Sequence, residues 1–509
     1  MFKKPPNKTS KPFNIAVIFI IIGTFFLVGT LGFAFYNANL ISNSPKITSQ
    51  VAGIVESKSS SFSSSKPPKP YKLNLKTMFF GNTFWGRYID DWAKLSPLKE
   101  KYPFSGLNTL ERYKYDAWIS GMECPITSTY RSSKLQDSDL KFSCLPEYLP
   151  EAKNWLDVLS LANNHTDNME EVNGFDQTKK YLSENKIAYF GHFDNAKVDE
   201  ICKVINLEIK DKSVENNFRN NPNIGLENSD KFANTGSNVN SDKYFVPIAF
   251  CGYHNVFKLP TELELAQISE YSKYWPTVIM PHGGAEYTAK PDSLKTNLYR
   301  QMIELGADAV IGDHPHSVQS TEVWQDKLIV YSLGNFMFDQ QTRQDVRQSL
   351  AVGAEFELEF DQNLEKLMEI SQKCTNFENN LTSTKKENIS SQKSENSQPN
   401  SQVNSQKDEQ NNSNSQVQNS QQKNGQKNEK INSQSCLEMA KKEKITKPKF
   451  KIKYEATATD STGKLTKKAS PEVLKNVLNL ANWAKTKAIL DQINDKTKPN
   501  LPLKDPQST

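Results

Sequence analysis

Apolar residues are distributed along this chain in three different ways. Residues 13–36 form a nearly unbroken apolar run interrupted by Asn14, Thr24 and Thr30. At 1.5 Å per residue it is long enough to cross roughly 30 Å of hydrocarbon as a helix. Lys3, Lys4, Lys8 and Lys11 precede it and the first charge after it is Lys46. The positive-inside rule therefore predicts a cytoplasmic segment 1–12, a transmembrane anchor 13–36 and the remainder outside. Residues 37–70 are rich in Ser and Pro and read as a linker.

From 71 to 361 the pattern changes to short apolar runs alternating with helical periodicity, which predicts an α/β domain. Leu156–Ala162 reads as a buried strand followed by a helix over Phe175–Asn185. Val278–Met280 and Ala309–Ile311 read as two more strands. Between them Asp292 caps a predicted helix whose apolar positions Leu294, Leu298, Met302 and Leu305 end at Gly306. An Asn-rich segment, 210–243, reads as a loop insertion, and 374–436 holds too few apolar residues to offset its ordering entropy, so it is expected to be disordered. A C-terminal extension, 446–495, shows strand alternation over Phe450–Tyr454, as at a sheet edge. Ser470-Pro471-Glu472 then starts a helix running to about Ile493, either packed on the domain or free.

Composition narrows the picture. Mean hydropathy is −0.66 and the net charge is +5 over 509 residues, with no basic stripe of the kind that nucleic acid requires. Six cysteines, Cys124, Cys144, Cys202, Cys251, Cys374 and Cys436, contain no Cys-x-x-Cys pair. Buried apolar thiols are the expectation, with a Cys124–Cys144 pairing as the alternative if the domain lies outside the membrane.

The candidate chemistry lies in the six histidines, all between His165 and His316. Asn164-His165 follows one predicted strand, His282 ends another, and His314-Pro315-His316 follows a third. Neutral imidazoles and an amide oxygen bind divalent cations without overloading a site with charge. His314 and His316, two apart, would face the same side of an extended segment. A bridging carboxylate is also needed, and Glu123 after the run Ile119–Met122 is the best placed, with Asp167 second. His192 and His254 are read as ordinary half-buried or surface histidines. Asp313 has no assignment, and Glu286 and Asn335 could orient ligands or simply form turns.

Six segments in order, Met122–Thr127, Leu161–His165, Gly174–Thr178 with Gly191, His282–Tyr287, Gly306–His316 and Tyr331–Phe336, resemble the CapA family. That family is itself similar to calcineurin-like metallophosphoesterases and is associated with poly-γ-glutamate capsule synthesis. The resemblance implies a four-layer α-β-β-α sandwich binding one or two divalent ions (Mn, Fe, Zn or Mg). It makes Glu123 the bridging carboxylate and Asn82, Asn164, His165, His282, His314 and His316 the other metal ligands, with His165, Asn164 and Arg87 serving catalysis. Asn82, in Phe79-Phe80-Gly81-Asn82, places an amide where the family has an Asp, which weakens one cation site. The implied roles are a membrane-anchored hydrolase acting on a phosphoester or an anionic polymer beside other capsule-synthesis subunits, or a non-catalytic subunit that binds or guides the polymer.

Overall fold

The computed structural model describes residues 72–210, 243–374 and 432–495. The apolar run 13–36 with its flanks 1–12 and 37–70, and nearly all of the segments 210–243 and 374–436, lie outside them. No described helix is long and apolar enough to cross a membrane. The chain is a mixed α/β protein built on two sheets with helices.

The strands are β1 (Lys72–Thr83), β2 (Ala117–Met122), β3 (Val158–Ser160), β4 (Ala188–Phe190), β5 (Cys202–Glu208), β6 (Phe245–Asn255) and β7 (Thr277–Gly283). They continue as β8 (Ala309–Ile311), β9 (Thr321–Trp324), β10 (Lys327–Val330), β11 (Asn335–Met337), β12 (Gln348–Glu359), β13 (Phe450–Asp460) and β14 (Lys467–Lys468). One sheet runs β14-β13-β12-β1-β2-β3-β4, with β11 also on β1; the other runs β5-β6-β7-β8-β10-β9. β1 to β4 are mutually parallel, as are β6, β7, β8 and β10, so both sheets release their carboxyl ends into loops on a common principle.

Burial explains the pleat. One apolar cluster takes alternate residues from both sheets, among them Leu75 and Phe79 of β1, Ile119 of β2, Phe250 of β6 and Met280 of β7. The intervening residues of each sheet, such as Phe80 and Trp118 in the first and Cys251 and Ile279 in the second, join two further clusters with helices. A strand buried on both faces loses the polar alternation of a surface strand, which is why these runs read as continuously apolar.

β13 pairs antiparallel with β12 from Phe450 to Asp460 and meets the two-residue β14 only at Thr459 and Asp460, so among the described strands Phe450–Tyr454 does lie at the sheet edge, as its alternation predicts. The structure revises several expectations elsewhere. The single helix expected to Ile493 is two, Pro471–Leu480 and Trp483–Asn494, broken where Asn482 turns left-handed (φ 54°). Both pack on the domain, and Val477, Trp483 and Leu490 enter the cluster between the sheets. The helix Ser293–Glu304 forms with Asp292 Oδ1 accepting the Lys295 N–H (2.8 Å), yet Leu294 is exposed while Leu298, Tyr299, Met302 and Ile303 carry the buried face. The two ends of the segment 374–436 are helical, and their cysteines are joined. The thiol expectation fails altogether: all six cysteines form disulfides, Cys124–Cys144, Cys202–Cys251 and Cys374–Cys436.

Candidate metal centre

Loops leaving the carboxyl ends of β1, β2, β3, β7 and β8 bring Asn82, Glu123, Asn163, Asn164, His282, Asp313, His314 and His316 into one buried cluster. Ligand sites at such strand ends are the rule for parallel sheets. His282, the penultimate residue of β7, bridges to Asp313 at the end of β8, which seats the following loop. That loop is not extended as its His-x-His spacing suggested. His314 (φ 89°) and His316 (φ 58°) are both left-handed, a conformation costly for a residue with a Cβ, so tertiary contacts must hold it. One such contact is the Tyr287 N–H to the Pro315 carbonyl (2.8 Å).

Each key ring is oriented by its Nδ1 atom. His282 Nδ1 meets Asp313 Oδ1 at 2.7 Å and His316 Nδ1 meets Asn335 Oδ1 at 2.8 Å. With the ring proton donated there, Nε2 of each His keeps its lone pair. Those lone pairs face the two oxygens of Glu123, His316 Nε2 at 3.6 Å from Oε1 and His282 Nε2 at 3.9 Å from Oε2. His282 Nε2 also lies 2.8 Å from Asn164 Oδ1 and 3.1 Å from His314 Nδ1. Asn82 Oδ1 accepts the His314 N–H (3.3 Å), and its amide donates to Asn335 Oδ1 (3.3 Å).

The donor set suits a divalent cation. Glu123 is fully buried, burial pushes its carboxyl well above the usual range, and Oε1 has no hydrogen-bond partner among the described residues. Oε2 accepts only from Asn163 (2.9 Å). Burial likewise drives His282 and His314 well below, and His316 down to about 4, so the rings are neutral and cannot balance the carboxylate. A carboxyl buried in this way favours its neutral form, and a cation beside it and the neighbouring nitrogen and amide-oxygen lone pairs would restore the charged one. Among the described residues, no three or more His, Cys, Asp or Glu side chains are grouped so as to hold a metal ion by themselves, and part of the donor set here is amide oxygen.

Two expected members stand apart from this convergence. The His165 ring stacks on Phe142 (4.1 Å between centroids), gives Nδ1 to Asn168 Oδ1 (2.8 Å), and burial lowers it to about 4. Arg87 is buried, lies over Phe142 (4.7 Å) and forks onto Asp339 at 2.7 and 2.6 Å. Both flank the cluster through the Phe142 ring. Asp167 makes no contact with the cluster, and Glu286 is exposed. Sequence reasoning missed Asn163, which holds Glu123 and also accepts the His165 N–H (2.7 Å), and left Asp313 without a role. Gly121 is required at the floor, since a Cβ there would overlap Asp313 Oδ2. Behind Asp313, the buried Lys295 donates to Gln319 Oε1 (3.2 Å); burial takes that ammonium down to about 7 and the Asp313 carboxyl up to about 7.

Parts of the chain are similar to known proteins. Capsule biosynthesis protein CapA of Bacillus anthracis is 46% identical over 63 residues, which cover 12% of this chain and 15% of the relative. PGA biosynthesis protein CapA of Bacillus subtilis is 41% identical over 80 residues, 16% of this chain and 21% of the relative. The chain thus matches under a quarter of the length of these curated relatives. Residues 76–340, just over half the chain, match the model of the family described as bacterial capsule synthesis protein PGA_cap, and the chain belongs to that family.

Proposed function

We propose that this protein is a metal-dependent hydrolase of metallophosphoesterase type, a four-layer α-β-β-α sandwich working in the assembly or export of an anionic capsule polymer such as poly-γ-glutamate. The observation that carries the reading is the pair of Nε2 atoms of His282 and His316 turned toward the two oxygens of buried Glu123. One or two divalent ions (Mn, Fe, Zn or Mg) held by Glu123, His282, His316, His314 and the amides of Asn164 and Asn82 would polarise a phosphoryl oxygen and lower the pKa of a water. The chain's own groups do the rest. Asp313 and Asn335 fix the two imidazoles, and the Arg87 guanidinium and the His165 ring both lie against Phe142. The substrate class is a phosphate ester or an activated, anionic polymer intermediate.

Three disulfides among the described residues suit an oxidising compartment, which fits a domain held outside the membrane by the run 13–36 and working beside other capsule-synthesis subunits. Asn82 supports a second reading. An amide replaces a carboxylate there and is spent on the His314 backbone and on Asn335, so the chain could bind and guide the polymer without turnover. The test is to purify the full-length chain, measure bound Mn, Fe and Zn, and assay aryl phosphate hydrolysis with and without His282→Ala. Metal-dependent turnover reduced at least about 100-fold in the variant supports the hydrolase. Stoichiometric metal without turnover supports the guiding subunit, and absence of metal binding refutes the hydrolase.

A further inference from the structure

His254 lies at the penultimate position of β6, and the parallel register of β6 and β7 sets it directly opposite His282. Residues paired in this way project from the same face of a sheet, so the His254 side chain leaves on the side from which His282 enters the metal cluster. Paired neighbouring strands stand about 4.8 Å apart, so His254 lies beside His282. Its position is held tightly. One side chain, Asn195, clamps the backbone on both sides, accepting the His254 N–H (3.1 Å) and donating to its carbonyl (2.7 Å).

The ring is fixed as well. Nδ1 donates to the Phe193 carbonyl (2.8 Å), which settles the tautomer and leaves Nε2 a bare acceptor. That atom is buried and has no hydrogen-bond partner among the described residues. Leaving a buried acceptor unmade is costly, and an acceptor held so rigidly beside a reaction site is suited to a donor that arrives with a ligand. The neighbouring Phe257 ring meets it edge-on (5.4 Å) and is mostly exposed, giving the approach an apolar side.

We propose that His254 is a substrate-contacting residue of this site, its Nε2 accepting a hydrogen bond from an O–H or N–H carried next to the reacting group. The substrate is then an anion with a neighbouring hydroxyl or amide, not a bare ester. This inference rests on the reading of the cluster as a cation-dependent substrate site, and its test is arranged to fail separately from that reading.

Binding to the manganese-loaded full chain in detergent is measured by calorimetry for two probe pairs. Glycerol 2-phosphate is set against isopropyl phosphate for the hydroxyl, and 2-acetamidoethyl phosphate against its N-methyl analogue for the amide. In at least one pair the donor-bearing probe is expected to bind roughly three- to tenfold more tightly. His254→Phe, or His254→Ala if the larger ring unfolds the chain, brings that ratio to about one, whereas His254→Gln, which keeps an acceptor, retains part of it. No preference in either pair, a preference that survives His254→Phe and His254→Ala, or loss of manganese in those variants overturns the proposal. Because binding is read without turnover, a chain that binds selectively but hydrolyses nothing supports His254 and counts against the hydrolase alone.

Discussion

At the residue scale the two central imidazoles are turned to the same task by unlike partners, a carboxylate for His282 and an amide for His316. The carboxylate is the stronger support, because it stabilises a ring that shares electron density with a cation. Asp313→Asn is therefore expected to weaken manganese binding by about tenfold and Asp313→Ala by up to about 100-fold, measured by competition with a chelator. Equal affinity in all three proteins would show that Asp313 only packs. That Glu123, Asn164, His282, His314 and His316 converge was legible in their types and order along the chain, and Asn82 was added by the family resemblance. Asp313 and Asn163 were not legible, since what marks them is a bridge between β7 and β8 and a contact forty residues away along the chain. His165 shows the converse limit: adjacency to Asn164 suggested a shared ligand role, whereas its ring turns to Phe142 and Asn168.

At the element scale the C-terminal extension completes a sheet begun nearly four hundred residues earlier. Its last strand, β14, is tied to the turn before β2 by Lys468, which joins Lys114 on Glu111. These hydrogen bonds hold the Glu111 carboxyl down at about 2 from an ordinary 4.5. A depressed carboxyl stabilises the fold above its unfolded value and loses that contribution as pH falls through its folded value. Glu111→Gln is accordingly expected to cost less than about 1 kcal/mol at pH 7, since the group is partly exposed and screened. The gap from wild type should narrow between pH 4.5 and pH 2 in chemical denaturation. A difference that stays constant down to pH 2 would assign the cost to packing. The alternation at Phe450–Tyr454 predicted both the strand and its edge position, since β14 covers only Thr459 and Asp460 and among the described strands only β12 lies beside the rest of β13. The break between the last two helices was not legible: Asn482 is a tolerable helix residue, and its left-handed turn leads into Trp483, which joins the buried cluster.

At the scale of the whole molecule the three disulfides are placed on different structures and should therefore do different work. Cys202–Cys251 crosses the paired strands β5 and β6, and Cys374–Cys436 joins two helices packed behind the second sheet, closing a separation of 62 residues. Chain entropy alone assigns roughly 4 kcal/mol to a loop of that length, so Cys374→Ser with Cys436→Ser is expected to lower the unfolding midpoint by several degrees and leave manganese affinity intact. Cys124–Cys144 closes only 20 residues, about 3 kcal/mol on the same scale. It joins the residue after Glu123 to the segment carrying Phe142, the ring beneath both His165 and Arg87. Cys124→Ser with Cys144→Ser is expected to loosen both the carboxylate and its aromatic wall, reducing manganese affinity as well as stability. Thermal unfolding and chelator competition on the two double variants separate these cases. If both pairs change stability alone, the Cys124–Cys144 bond has no part in shaping the centre, and the link from disulfide to site fails.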